Sequence, residues 1–251
     1  MRFALVDQIG IPSELVRMRE ALEEWGRQVA VSWHIPAPSV RVSTGADLDR
    51  ASECPIYLQK SIDVQGAAAY HDEDALGNQF IRCGLSAVPR QNILRDPLNK
   101  GESLLGLAQH EVGEAMVDPT ADVWRQQPFR DHKTGRTYSL VCQESCDPVQ
   151  EIADAMPLRD GTKVDRIAWV YPEWFDARRS QSRPVDSHGA LSAPLTLAPG
   201  GYQIAAMVSG ENNLFAEIVE HHELGLASWR GALKKRHGSR TQKRLDAFNK
   251  R

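Results

Sequence analysis

Apolar residues recur at helical spacing in two long stretches of the chain, and alternate or cluster in short runs through most of the rest. Over residues 12–27, Leu15, Val16, Met18, Leu22 and Trp25 fall on the inward side of a helix that Pro12 and Ser13 begin. Over residues 104–116, Leu104, Leu105, Ala108, Val112, Ala115 and Met116 form a broad apolar face, with start signals at Asn99, Gly101 and Ser103. Asp118 precedes Pro119, which disfavours helical backbone at Asp118 and stops the helix. Residues 3–6, 29–35, 39–42, 56–58, 67–70 and 80–83 read as strands, with Pro36 and Pro38 separating the second from the third. Residues 195–208 read as a β-hairpin turning at Pro199-Gly200-Gly201. From Glu211 a helix is expected, with Leu214, Phe215, Ile218 and Val219 inward. The expected fold class is α+β, a mixed sheet packed on a long helix, with a C-terminal hairpin and a helical basic tail. The expected organisation is a main domain over 1–178, a loop and hairpin extension over 179–210, and a C-terminal helix and tail over 211–251.

The second helix carries the chemistry. Leu107, His110, Glu111 and Glu114 form a partly polar stripe along the edge of its apolar face. The run from Gln109 to Pro119 reads H-E-x-x-E-x-x-x-D-P, one residue away from the H-E-x-x-H of zinc peptidases. Residues i and i+4 share a helix face, so His110 and Glu114 can hold one zinc ion while Glu111 serves as general base toward water. Glu114 in the place of a second histidine adds negative charge and makes the metal a weaker Lewis acid. The plainer reading is an amphipathic helix with solvated His and Glu, and the apolar weight of the helix argues against it. Asp118 lies eight residues beyond His110, about 12 Å along a helix axis, too far for bonds of about 2 Å to one ion.

A further ligand must come from elsewhere. In zinc peptidases with a glutamate ligand, that ligand is a carboxylate downstream, and a nearby Asp orients a ligand histidine. Glu144 and Asp147, in Glu144-Ser145-Cys146-Asp147-Pro148, fit that division, and Glu151 with Asp154 repeats the same spacing. His71 stands at an expected strand end beside Asp72, Glu73 and Asp74. It serves either as a catalytic group above the metal, binding substrate or stabilising a transition state, or as a loop histidine bonded to Asp72 or Asp74. His221 and His222 are neighbours, so on a helix they point about 100° apart and read as surface residues.

Taken together, Ala4-Leu5-Val6-Asp7-Gln8, Trp33-His34-Ile35, Ala69-Tyr70-His71-Asp72, the helix motif, Glu144-Ser145-Cys146-Asp147-Pro148 and Tyr171-Pro172-Glu173-Trp174-Phe175 resemble a poorly characterised family of phage and bacterial proteins with zincin-like signatures. The order holds from residue 3 to about residue 175. This chain departs from the pattern at Gln109, where Ser is usual, and at Val149, where a second cysteine is frequent. The resemblance implies a zincin-like fold and a metal site, and it brings no substrate with it.

Composition narrows the class further. With 41% hydrophobic and 25% charged residues, the chain is ordinary for a globular protein. No apolar run reaches the 18 residues of a membrane span, and Phe3-Ala4-Leu5-Val6 is too short for a signal peptide. A cytoplasmic or virion-associated location is therefore expected. Four cysteines (Cys54, Cys83, Cys142 and Cys146) are too few for a disulfide scaffold, and are expected free and partly buried. Residues 230–251 hold nine Lys or Arg against one acid, Asp246, in a chain of net charge −3. Such a tail suits an acidic partner, either a protein surface or nucleic acid. Two functions follow as expectations. One is a zinc-dependent hydrolase acting on peptides or proteins. The other is a catalytically weak, zincin-like structural or accessory protein of a phage particle or other large assembly.

Overall fold

In a computed structural model of the chain, residues 1–64, 67–120, 122–176, 178, 184–209 and 213–220 are described. The elements in chain order are β1 (Arg2–Asp7), α1 (Pro12–Trp33), β2 (Ser39–Ser43), β3 (Cys54–Gln59), β4 (Ala69–Glu73), β5 (Gln79–Gly84), α2 (Leu104–Val117), β6 (Trp124–Arg130), β7 (Thr137–Cys142), β8 (Ala153–Pro157), β9 (Lys163–Ile167), β10 (Tyr202–Ser209) and β11 (Asn213–Glu220). The fold is mixed α+β, with a mixed sheet and two α-helices among the described residues. No helix among them is long and apolar enough to cross a membrane. The chain divides into two compact units: Met1–Thr120 with Ile152–Ile167, and Ala121–Glu151 with Ala168–Arg251.

The first unit holds a five-stranded sheet in the order β2-β1-β3-β5-β4. β2, β1, β3 and β5 run parallel, while β4, the outermost strand, runs antiparallel to β5. β1 is buried at four successive residues, Phe3, Ala4, Leu5 and Val6, as a parallel strand covered on both faces must be. At its end the Asp7 carboxylate accepts from the backbone N–H groups of Ile9, Gly10 and Ile11 at 2.7–2.9 Å and turns the chain into α1. The helix buries Leu15, Met18, Leu22, Trp25, Val29 and Trp33. It runs on through residues 29–33, where a strand was expected, and ends at His34, which takes a left-handed conformation as the C-cap. The β8–β9 hairpin completes the unit, and the Trp25 indole N–H donates to the Ile167 carbonyl at 2.9 Å.

The second unit holds an antiparallel sheet in the order β11-β10-β7-β6. Two expectations are corrected here. The hairpin is made by β10 and β11, so Pro199-Gly200-Gly201 precedes it and does not form its turn. Residues 213–220 form a strand in register with β10, from Ser209 opposite Asn213 to Tyr202 opposite Glu220, and not a helix. Trp174, in the 3-10 turn Pro172–Phe175, is fully buried, and its indole N–H donates to the Thr196 carbonyl at 2.8 Å. All four cysteines are free and buried. Residues 221–251, with His221, His222 and the basic segment, lie outside the described residues.

Candidate metal centre

The site helix begins where the sequence places it. The Ser103 hydroxyl accepts from the Gly106 N–H at 3.0 Å as the N-cap of α2, and the Asp118 N–H donates to the Glu114 carbonyl at 2.8 Å at the other end. The loop leading in passes so close to the first turn that a Cβ on Gly106 would lie 2.0 Å from the Gly101 carbonyl oxygen. Only glycine fits there. α2 packs against α1, β4, β5 and β9. Twelve of its fourteen residues are buried, all except Leu107 and His110.

That burial removes the reading of a solvated polar stripe. Glu111 is 3% and Glu114 2% exposed. Two carboxylates side by side in such a place are costly unless hydrogen-bonded and neutralised. The His110 Nε2 lies 3.0 Å from Glu114 Oε1, the i,i+4 pair that helical spacing predicts. Ligand atoms of His110, Glu111 and Glu114 all lie within 4.8 Å of one another. Two ligands bonded at about 2.0–2.1 Å to one tetrahedral ion stand roughly 3.3 Å apart, so the His110–Glu114 spacing fits a metal with little movement. The His110 side chain is 13% exposed and is the most accessible member of the set.

His71 joins this group, by a route that the sequence did not show. It lies in the middle of β4, opposite Ile81 of β5, and not at a strand end. Buried at 3% exposure, its Nδ1 sits 3.0 Å from Glu111 Oε2 and 3.7 Å from Glu114 Oε2. Its partners are thus the helix carboxylates, where hydrogen bonds to Asp72 or Asp74 were the plain alternative. With the proton on Nδ1, His71 donates to Glu111 and fixes the direction of that carboxylate.

Gln109 clasps α2 to β9. Its side-chain nitrogen donates to the Asp165 carbonyl at 2.9 Å, and its oxygen accepts from the Ile167 N–H at 3.2 Å. These two bonds hold the helix in place against β9.

Glu144 and Asp147 belong to the second unit, and both are 1% exposed. Their segment is pinned along its length. The Gln143 N–H donates to the Val123 carbonyl at 3.1 Å, while the Ser145 and Pro148 carbonyls accept from Val170 and Ala198 at 2.8 and 2.9 Å. Two buried acids on so fixed a loop suit a ligand role, and that role rests on the sequence motif. The rival pair fares differently. Asp154 is 43% exposed on its side chain and is held by Arg166, whose Nε lies 2.7 Å from Asp154 Oδ1. Glu151 packs on Gly200, where an added Cβ would come within 2.5 Å of the Glu151 Cδ. Among the described residues, neither falls in a group of three ligand atoms close enough to hold one ion.

No protein-family model matches the chain, and no curated protein and no solved structure does either.

Proposed function

We propose that the chain is a zinc-dependent hydrolase of peptide bonds, built on a zincin-like plan of an N-terminal sheet laid against a buried site helix. The observation that carries this reading is the closing of His110 on Glu114 at 3.0 Å, with Glu111 one residue from the first ligand and buried beside them. In this reading the His110 Nε2 and the Glu114 carboxylate hold the ion, and Glu144 or Asp147 supplies the further ligand that the sequence motif calls for. A zinc ion held there would polarise a substrate carbonyl and acidify water. Glu111 takes the proton from the attacking water and returns it to the leaving amine. His71, bonded to Glu111 Oε2, keeps that carboxylate aimed. Near-complete burial of Glu111 and Glu114 keeps bulk water away from the charges.

The second reading, a structural or accessory protein, has an observation of its own. His71 Nδ1 hydrogen-bonds Glu111 Oε2 inside the protein, and the His110 Nε2 lies 3.0 Å from Glu114 Oε1. A site whose members already pair can persist as a buried polar network with no reaction at all.

Metal analysis separates the two. Purified full-length chain, freed of metal and dialysed against zinc, is expected to retain at least one ion per chain. His110→Ala and Glu114→Ala should each weaken binding of that ion by tenfold or more, a loss on the order of that seen for altered metal shells. Glu111→Gln should keep the ion that His110 holds and lose hydrolysis of an unstructured protein substrate such as reduced, alkylated casein. A chain that binds no zinc overturns the hydrolase reading and leaves the structural one.

A further inference from the structure

We propose that residues 92–106, which lead into α2, form a strap that Asp165 fastens to β9 and that loosens as pH rises. Strap and strand belong to the same unit, and the proposal stands whether or not the helix binds a metal. The Asp165 N–H donates to the Leu94 carbonyl at 2.9 Å, and its Oδ2 accepts from the Asp96 N–H at 2.9 Å. The carboxyl is also hydrogen-bonded by Ser103, the N-cap of α2. The Asp165 carbonyl accepts from the Gln109 side chain at 2.9 Å, next to His110 in sequence. One residue of β9 thus holds both the strap and the site helix. The strap in turn completes the helix start. The Leu104 and Leu105 N–H groups, which no carbonyl of the helix can satisfy, donate to the Asn92 and Ile93 carbonyls at 2.9 Å each.

The backbone here is strained. Arg90 and Gln91, just before the strap, and Asn99 within it have φ of 54°, 52° and 55°, a region that side chains rarely adopt. Such conformations persist where the surroundings impose them. The Asp96 carboxylate does so from within, accepting from the Leu98 and Lys100 N–H groups at 3.0 and 2.9 Å. β9 does so from outside, since a Cβ on Gly101 would lie 2.7 Å from the Ile167 Cγ2. A strap held in this way relaxes when its fastening fails.

The fastening titrates. Asp165 and Asp96 are 0% and 3% exposed, and Asp165 Oδ1 has no hydrogen-bond partner among the described residues. Ionisation leaves a dry, charged oxygen beside a second buried acid, and lifting the strap lets water reach it. Burial above all, and then the Asp96 charge, raise the carboxyl to about 6, against the hydrogen bonds from Ser103 and the Asp96 backbone and the charge of Arg95. Among the described residues, the elements packed on β9 otherwise meet it through uncharged or already paired groups. Ala155 stands opposite Asp165, Asp154 pairs with Arg166, and α1 makes contact through Trp25 and Gln28. Between about pH 4 and 6 the closed strap keeps a proton that an opened one has released. Opening therefore grows commoner through that window, by up to about a hundredfold, and levels off above it.

Hydrogen exchange of the metal-free full chain, corrected for the intrinsic rate at each pH, measures the opening. The reporters are the N–H groups of Asp96, Leu104, Leu105 and Gly106, with those of Phe3, Ala4, Leu5 and Val6 in β1 as the reference for global unfolding. From pH 4 to pH 7 the reporters should lose protection by up to about a hundredfold. Dilute urea should leave their opening unchanged while it speeds exchange in β1. In Asp165→Asn the reporters' protection should stay level with pH, and in the wild-type protein the Asp165 carboxyl carbon should titrate near pH 6 by NMR. Reporters that exchange together with β1, at the same urea dependence, show a global opening and overturn the strap. Wild-type protection that does not change with pH, or that changes equally in Asp165→Asn, overturns Asp165 as its fastening. If the variant does not fold, a wild-type Asp165 carboxyl that fails to titrate between pH 4 and 7 overturns it instead.

Discussion

Asp165 is buried on β9 with one carboxylate oxygen, Oδ1, that has no hydrogen-bond partner among the described residues, while Oδ2 accepts from the Asp96 N–H at 2.9 Å. Burial is the main influence, and it raises the carboxyl from 3.8 to about 6 against the opposing hydrogen bonds from Ser103 and Asp96. The native state therefore holds a proton between about pH 4 and 6 that the unfolded chain has released. Stability falls as pH rises through that window, and the full cost is present above it. Asp165→Asn removes the titration. The difference in melting stability between variant and wild type should shift in the variant's favour by on the order of 2 kcal/mol from pH 4 to pH 7.5. Thermal melts at those two pH values check it, and a constant difference would show that Asp165 does not titrate in this range. Residues such as His110, Glu111 and Glu114 were legible in the sequence because their geometry is local, fixed by one turn of one helix. The parts played by His71 and Gln109 were not, since they depend on which strand packs against which helix face. Nothing in the spacing of Ala69-Tyr70-His71-Asp72 tells that His71 meets Glu111, 40 residues away.

At the scale of elements, the sequence was clear where one period fitted and ambiguous where two did. Val29, Val31, Trp33 and Ile35 alternate like a strand, yet Val29 and Trp33 are also four apart and share a helix face. The structure takes the helix, burying Val29, Ala30 and Trp33 and leaving Val31 74% exposed. Residues 213–220 posed the reverse problem, and there pairing with β10, a long-range event, makes the strand. α2, with its cap at Ser103 and stop at Asp118, had no competing period. The close packing of α1 has a testable cost at Gly26. In an exposed helix, Gly→Ala gains roughly 0.8–1 kcal/mol. Here the added methyl would lie 2.5 Å from the Pro38 Cγ, part of a ring tied to the backbone, and 3.7 Å from the Met116 Sδ. Overpacking of this kind costs about 1–3 kcal/mol, so Gly26→Ala should destabilise the protein by on the order of 1 kcal/mol net. Denaturant unfolding reads it, and a gain in stability would mean that Pro38 moves aside freely.

Across the whole chain, sequence order hides how the units are assembled. Residues 152–167 return to the first unit after the chain has entered the second, and no composition shift marks either crossing. Charge, by contrast, is legible without any fold. Nine cations and one acid over residues 230–251 stand in a chain that is otherwise acidic enough to bring the total to −3. The only large apolar residues among them are Leu233, Leu245 and Phe248, too few for a core. Attachment by counterion release is the chemistry that such a segment offers, and it carries no base-reading pattern. Truncation after Ser228 removes it while keeping His71, His110, Glu111, Glu114, Glu144 and Asp147. The truncated protein should melt as the full chain does and retain its zinc. It should lose binding to duplex DNA and to polyglutamate, the two probes that stand for nucleic acid and an acidic protein surface. For the full chain on DNA, neutralising six or more phosphates implies a fall of about a thousandfold in affinity between 50 and 200 mM salt. A large drop in melting temperature on truncation, with polyanion binding unchanged, would show that the segment belongs to the fold and that the attachment lies elsewhere.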